Sequence, residues 1–482
     1  MTDTTAVPGS WGELLGRDYG RATTVLAGGV ALYAINEFIT MSLLPSVVAD
    51  IGGARLYAWV TTVYLVASVV SATTVGPVLT RFGPRRSYLG ALLFFAGGTA
   101  VCAAAPSMTV LLAGRLAQGL AGGVLAGLGY AVISAALPER LWTRATAVVS
   151  AMWGVGTLIG PASGGLFAQF GLWRWGFGLL MFGAVLMAVL VPIALPSRGG
   201  ATEQRVRIPV RSLALLGAAA LMVSVAAIPR NPAITVGLLV SAAVAVAVFV
   251  VVDRGSAAHV LPRRTFEPGP LKWIYLTMGL LMAATMVDMY APLFGQRLGG
   301  LPPAAAGFLG AALSVGWTVA EIRSASISDR RIVARVVRWA PAVMAAGLGL
   351  SVLAIRDGAG PIAIAAWALA LAVSGAGIGA AWPHLSVWAM GSAGGASAGG
   401  ASAGRASVGG ASVDEPGEQA VAAAAINTVQ LMCAAFGAGV AGVVVNLRAE
   451  PDAPAAQWLF AGFAGLAAVG WLASSRAAGT PG

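Results

Sequence analysis

Runs of about twenty apolar residues, interrupted by short polar or basic connections, recur from residue 22 almost to the end of the chain. At a rise of about 1.5 Å per residue, a helix of that length crosses a hydrocarbon core of roughly 30 Å. The pattern predicts fourteen spans, at 22–49, 57–80, 87–105, 108–137, 145–167, 175–195, 212–229, 233–252, 271–295, 303–322, 333–355, 360–388, 419–446 and 456–475. Connections this short leave no room for a sizeable soluble domain, so the expected fold is an all-α polytopic membrane bundle.

Composition strengthens this reading. Of 482 residues 58% are apolar and 10% charged, against about 45–50% and about 25% in soluble domains. The net charge of +11 would suggest nucleic acid only if it formed one patch, and it does not. Twenty-two basic residues fall in alternate connections and six in the others, with Arg115 left inside a span. Under the positive-inside rule the richer side is cytoplasmic, which puts both termini there and makes the first helix an uncleaved anchor in a cell's plasma or inner membrane. Arginine in place of lysine points to a bacterial source. Trp11, Leu14 and Leu15 mark an interfacial turn in the polar leader.

The chain then divides into a leader (1–21), six spans (22–195), basic connections around two further spans (196–270), six more spans (271–475) and a tail (476–482). Residues 391–418 are rich in Gly, Ala and Ser and read as a flexible linker. The basic connections 196–211 and 253–272 lie near anionic headgroups. Lys272 is the only lysine and follows Leu271, so the Gly-Lys-Ser/Thr end of a P-loop is absent. Cys102 and Cys433 sit in apolar runs as small hydrophobes, and His259 and His384 lack ligand spacing, so no metal, disulfide or cofactor is expected.

Charges in a bilayer core cost about 2.5–3.5 kcal/mol each even on the lenient insertion scale, so Glu37, Arg115 and Asp288 need a reason to be there. Glu37 and Asp288 lie about fifteen and sixteen residues from the inner ends of their spans, roughly 22–24 Å in. Burial raises a carboxyl pKa and a nearby arginine lowers it, so an acid poised between the two can load and release a proton. Either acid is a candidate proton carrier, tuned by Arg115. A permanent ion pair, or a carboxyl in an aqueous cavity, accounts for the same residues. Asn36, Tyr33, Tyr64, Tyr130, Trp153, Trp317, Trp382, Asn427 and Gln430 are candidates for an apolar cavity with a few polar handles, although each alone suits packing or an interfacial anchor. Glu321 and His384 read as gate or loop groups.

Three motifs resemble one family. GPVLTRFGPRR at 76–86 is similar to the loop signature of the major facilitator superfamily through Gly76, Arg81, Gly83, Arg85 and Arg86, with Thr80 where that family usually has Asp. RLAQGLAGG, from Arg115 through Gln118 and Gly119 to Gly123, resembles its second signature. GVGTLIGPASGG at 154–165, with Gly156, Gly160, Pro161, Gly164 and Gly165, resembles the antiporter signature. LLPSVVADIG at 43–52, Trp59, Tyr64 and WRWGF at 173–177 further resemble the fourteen-spanning drug–proton antiporters.

That resemblance covers nearly the whole chain and is thinnest in its second half, where SDRR at 328–331 only echoes the first loop. It implies two six-helix halves with two extra helices between them, and proton-coupled efflux of lipophilic or amphipathic small molecules by alternating access. Its energy source would be the proton gradient, and its partners cargo, protons and membrane lipids, without nucleic acid and as a monomer. It also implies that the fifth-span glycines close tightly against the second half; a generic packing stripe is the alternative. Similar antiporters usually carry Asp where this chain has Asn36, so its acid, Glu37, is turned by about 100°. A dedicated exporter of an endogenous lipid or metabolite would use the same architecture, and a receptor, scaffold or channel fits less well. No enzymatic activity is expected.

Overall fold

The computed structural model describes residues 10–195, 208–229, 231–256, 258–327, 329–393, 415–447 and 452–479. All fourteen expected segments are helical: α1 Gly20–Ile51, α2 Tyr57–Ala72, α3 Val75–Ala103, α4 Met108–Ala131, α5 Glu139–Gln169, α6 Trp173–Ala194, α7 Val210–Val225, α8 Pro232–Gly255, α9 Leu271–Gly299, α10 Pro303–Ser324, α11 Arg330–Ala354, α12 Pro361–Ala393, α13 Glu415–Asn446 and α14 Ala453–Ala478. Among the described residues, twelve are long and apolar enough to cross a membrane. Of the other two, α5 has 31 residues, length enough to span, and α7 has 16, which reach only about 24 Å. Of the 391–418 stretch, 391–393 and 415–418 are helix ends and the remainder lies outside the described residues. So do Arg198, Arg205, Arg207, Arg230, Arg405 and Arg448.

The chain forms two compact units, Met1–Ile208 with Pro302–Phe308, and Pro209–Leu301 with Leu309–Gly482. The first holds α1 to α6. The extra helices α7 and α8 belong to the second unit, where α8 packs on α7 and α7 on α13. Ala226 and Ala227, just past α7, are buried with Val443 of α13. Asn446 Nδ2 donates to the Ala227 carbonyl at 3.2 Å.

Several helices depart from the expected boundaries, among them α4, which stops at Ala131 where the fourth span was expected to run to 137. The second span, read as 57–80, stops at Ala72, and the chain re-enters helix at Val75. Within α3, Gly83 breaks the helix at φ 73°, ψ 169°, a conformation only glycine adopts without strain. Pro84 then opens the next stretch, where its missing N–H costs nothing. The ninth span is interrupted as well: Leu271–Thr285 gives way to a 3₁₀ turn, Met286–Tyr290, before Ala291–Gly299 resumes, with Pro292 at its start.

Glycine sets the closest helix approaches. A Cβ on Gly123 of α4 would lie 2.1 Å from the Ser68 carbonyl oxygen of α2. In the second unit, one on Gly375 of α12 would lie 1.7 Å from the Leu313 oxygen of α10. Backbones come this close only where side chains are missing, which is how membrane helices gain contact without a hydrophobic drive between them.

Candidate functional site

In the first unit, α1, α2 and α4 meet around Arg115, which is 1% exposed. A guanidinium carries five N–H donors and no acceptor, and its neighbours answer with neutral oxygens. Arg115 Nε donates to the Val60 carbonyl at 3.1 Å. Nη1 donates to Asn36 Oδ1 at 3.0 Å, Gln118 Oε1 at 2.9 Å and Thr40 Oγ1 at 3.3 Å. The face of Tyr64 lies 4.1 Å from the guanidinium carbon, close enough for a cation–π contact. Gln118 is oriented in turn, its Nε2 donating to Thr99 Oγ1 at 2.9 Å.

An aromatic row extends from this hub. Tyr33 stacks on Tyr64 at 5.4 Å between centroids and meets Trp153 of α5 edge-on at 5.5 Å. Tyr64 Oη donates to the Tyr33 carbonyl at 3.3 Å. Gly122 makes room for both rings, since a Cβ there would lie 2.9 Å from Tyr33.

Glu37 is 7% exposed, and its Oε2 has no hydrogen-bond partner. It makes no ion pair with Arg115, although the two interact through their charges. Asn36 faces the arginine directly, and Glu37 comes one turn after Tyr33. The permanent ion pair considered for Glu37 and Arg115 is therefore absent among the described residues: Arg115 is held by dipoles.

The other predicted residues are more scattered. Asp288 is 6% exposed and sits in the 3₁₀ interruption of α9, whereas Glu37 lies on a continuous helix. Trp317 and Trp382 pair at 5.5 Å in the second unit. Trp317 Nε1 donates to Glu321 Oε2 at 2.9 Å, a bond the sequence reading missed although the two residues are four apart. Ser324 Oγ donates to the Ala380 carbonyl at 2.6 Å and lies 2.9 Å from His384 Nε2. A hydroxyl has a single proton, so the imidazole is the donor in that contact and carries its proton on Nε2. Tyr130 is 41% exposed at the end of α4. Asn427 is exposed and Gln430 half-buried on α13.

The motif residues have structural work as well. Thr80 Oγ1 donates to the Gly76 carbonyl within its own helix at 3.0 Å, and Ser87 Oγ ties the Gly83 carbonyl at 2.7 Å. Arg81 lies over Phe82, while Arg85 is half-buried and Arg86 exposed. In α5, Cβ atoms on Gly156, Gly160 and Gly164 would strike Ala34, Phe38 and Ile39 of α1. That stripe packs inside the first unit. Only Gly165 turns to the start of α10, 2.5 Å from Ala304 Cα, in the 302–308 segment that clusters with this unit. Gly307 in that segment approaches the Pro161 oxygen at 3.1 Å.

A set of helices long and apolar enough to cross a membrane, with a buried arginine hub in the first unit, describes a polytopic membrane protein. Residues 26–413 match the Major Facilitator Superfamily, and the chain belongs to that family. A probable multidrug-efflux transporter of Mycobacterium tuberculosis is 57% identical over 486 residues, covering 99% of this chain and 98% of the relative. The multidrug transporter protein MdtP of Bacillus subtilis is 24% identical over 298 residues, 60% of this chain and 54% of that protein. Among solved structures, the nucleoside transporter NupG aligns with a TM-score of 0.65 at 13% identity, covering 95% of this chain and 98% of that one. A bacterial homologue of the human lysosomal transporter Spinster aligns at 0.64 and 12%, covering 98% and 100%. At such identities these structures speak for the fold alone.

Proposed function

We propose that this transporter expels lipophilic or amphipathic small molecules across the plasma membrane in exchange for protons, by alternating access, with both termini in the cytoplasm. The observation that carries the proposal is Glu37: a buried carboxyl with an unpartnered oxygen, one turn from Tyr33 of an aromatic row and near Arg115, a cation in no ion pair among the described residues. Such an acid binds a proton when its surroundings are dry and gives it up when water or a cargo cation reaches it. Arg115 supplies a standing positive charge that favours release. The aromatic row Trp153–Tyr33–Tyr64 offers broad apolar contact with few directional demands, which suits varied cargo. The 57% identical relative described as a probable multidrug-efflux transporter supports the cargo class. Asp288 is the rival carrier, in a broken helix of the kind that lines binding sites in secondary transporters. No resident cofactor is required.

The test is dye flux in proteoliposomes under an imposed pH gradient. Wild type is expected to move several unrelated lipophilic dyes against their gradients. Glu37→Gln is expected to lose the response to the gradient while still equilibrating dye at equal pH. Flux indifferent to the gradient would rule out proton coupling. Coupling intact in Glu37→Gln but lost in Asp288→Asn would move the proton to α9.

A further inference from the structure

The second unit carries a groove that the transport reading does not use. It has a volume of about 500 Å³, within the roughly 300–1,000 Å³ typical of small-molecule sites. Val315, Val319 and Arg323 of α10 form one wall, and Ala372, Ala376 and Ala380 of α12 the floor. Val336 of α11 closes the far side. The floor is low because each of its residues, spaced four apart, is alanine, and because Gly316 draws α10 onto Ala372. Val315 and Val319 are 40% and 45% exposed, so the groove opens outward from the unit.

Its two ends differ. From Val315 to Arg323 the groove runs eight residues, about 12 Å, close to one leaflet's share of a roughly 30 Å hydrocarbon core. Arg323 stands at the surface end of α10, exposed and in no ion pair among the described residues. The acids nearest in sequence are engaged elsewhere. Glu321 accepts from Trp317, and Asp329 caps α11 by accepting from the Arg331 and Ile332 N–H groups at 2.7 and 3.2 Å. Ser324, beside Arg323, has its hydroxyl committed to Ala380 and His384. What remains is an apolar trough of one leaflet's depth with an unopposed guanidinium at its mouth.

We propose that this groove binds one anionic phospholipid, its acyl chain along Val315, Val319 and the alanine floor and its phosphate on Arg323. A guanidinium recognises phosphate through paired, charge-assisted hydrogen bonds. The match of groove length to leaflet depth and of charge to headgroup selects a lipid over a water-soluble anion. The site belongs to the second unit alone and does not depend on the proton-coupling proposal.

The experiment is native mass spectrometry of the intact transporter taken from nanodiscs of equal phosphatidylglycerol and phosphatidylcholine. Wild type is expected to retain one phosphatidylglycerol in preference to phosphatidylcholine. Arg323→Gln is expected to retain about tenfold less, the loss of roughly one charge-assisted hydrogen bond, while Arg323→Lys keeps part of the preference. Ala376→Phe fills the floor and is expected to lose the lipid with Arg323 intact. Equal retention of phosphatidylglycerol by wild type, Arg323→Gln and Ala376→Phe would overturn the proposal. Equal retention of the two lipids by wild type would do the same, since that describes ordinary boundary lipid. Displacement by millimolar inorganic phosphate would assign Arg323 to a soluble anion instead.

Discussion

Arg115 and Glu37 show how one residue's shift along a helix reorganises a site. With Asn at 36, the arginine is met by an amide rather than a carboxylate, and Glu37, turned by about 100°, keeps an oxygen unpartnered. Leaving a buried donor without its acceptor costs about 1–3 kcal/mol, and more where the donor is charged. Gln118→Leu strips one acceptor from Arg115 and orphans the Thr99 contact. It is expected to lower the Tm in detergent, whereas Glu37→Gln, at a buried carboxyl whose Oε2 has no hydrogen-bond partner to abandon, is expected to leave the Tm unchanged or raise it. Thermal melts of the two variants side by side check this. Arg115 was legible in the sequence as a charge out of place in a span, and Asn36 as the residue standing where similar antiporters usually have Asp. Thr40, the Val60 carbonyl and the role of Thr99 were not, because hydroxyls and backbone oxygens in apolar helices carry no signal until another helix brings a charge to them.

Elements are decided by glycine contacts and by a small number of surface ion pairs. Gly375→Ala would put a methyl on the Leu313 carbonyl oxygen; overpacking of this sort costs typically about 1–3 kcal/mol and more when backbone must move. A sharp fall in thermostability is expected, against little change for Gly462→Ala in α14, where a Cβ meets nothing within 4 Å. At the N-terminus, the turn Trp11–Leu14 is fastened by Glu13, which accepts from Arg140 Nε at 3.0 Å and also pairs with its Nη2. Arg144 lies 5.8 Å from the Trp11 ring, and Leu14 is fully buried. The Arg140 hydrogen bond holds the Glu13 carboxyl below its ordinary value of 4.5. A group with a lowered folded-state pKa contributes above its ordinary pKa and loses that contribution as pH falls through the lowered one. The turn is therefore expected to stay docked at neutral pH and to loosen in acid below about 4.5. A spin label at exposed residue 15 reads this as rising mobility, and Glu13→Gln is expected to show the same mobility at neutral pH. The sequence marked Trp11, Leu14 and Leu15 as an interfacial turn; its fastening to Arg140, 127 residues away, belongs to the fold.

Across the whole molecule, charge asymmetry gives the expected orientation. Single cysteines at residues 10 and 479 should resist a membrane-impermeant maleimide added to intact cells and react after lysis, whereas one at residue 357, in the turn between α11 and α12, should react from outside. Labelling of all three in intact cells would contradict cytoplasmic termini.

The bundle itself was written in the chain. Fourteen apolar runs each became helix, since a peptide group inside a bilayer must find its hydrogen bond within its own segment. The family that the three motifs resemble is the family to which the chain belongs. Only the tertiary structure decided what those residues touch: that Gly156, Gly160 and Gly164 pack on α1, that α7 and α8 join the second unit, that α3 breaks at Gly83 and α9 around Asp288, and that Arg115 is caged by neutral oxygens. Hydropathy depends on composition within a window and is additive along the chain. Such contacts depend on the angle of each helix and the shape of its neighbour, which no local window contains.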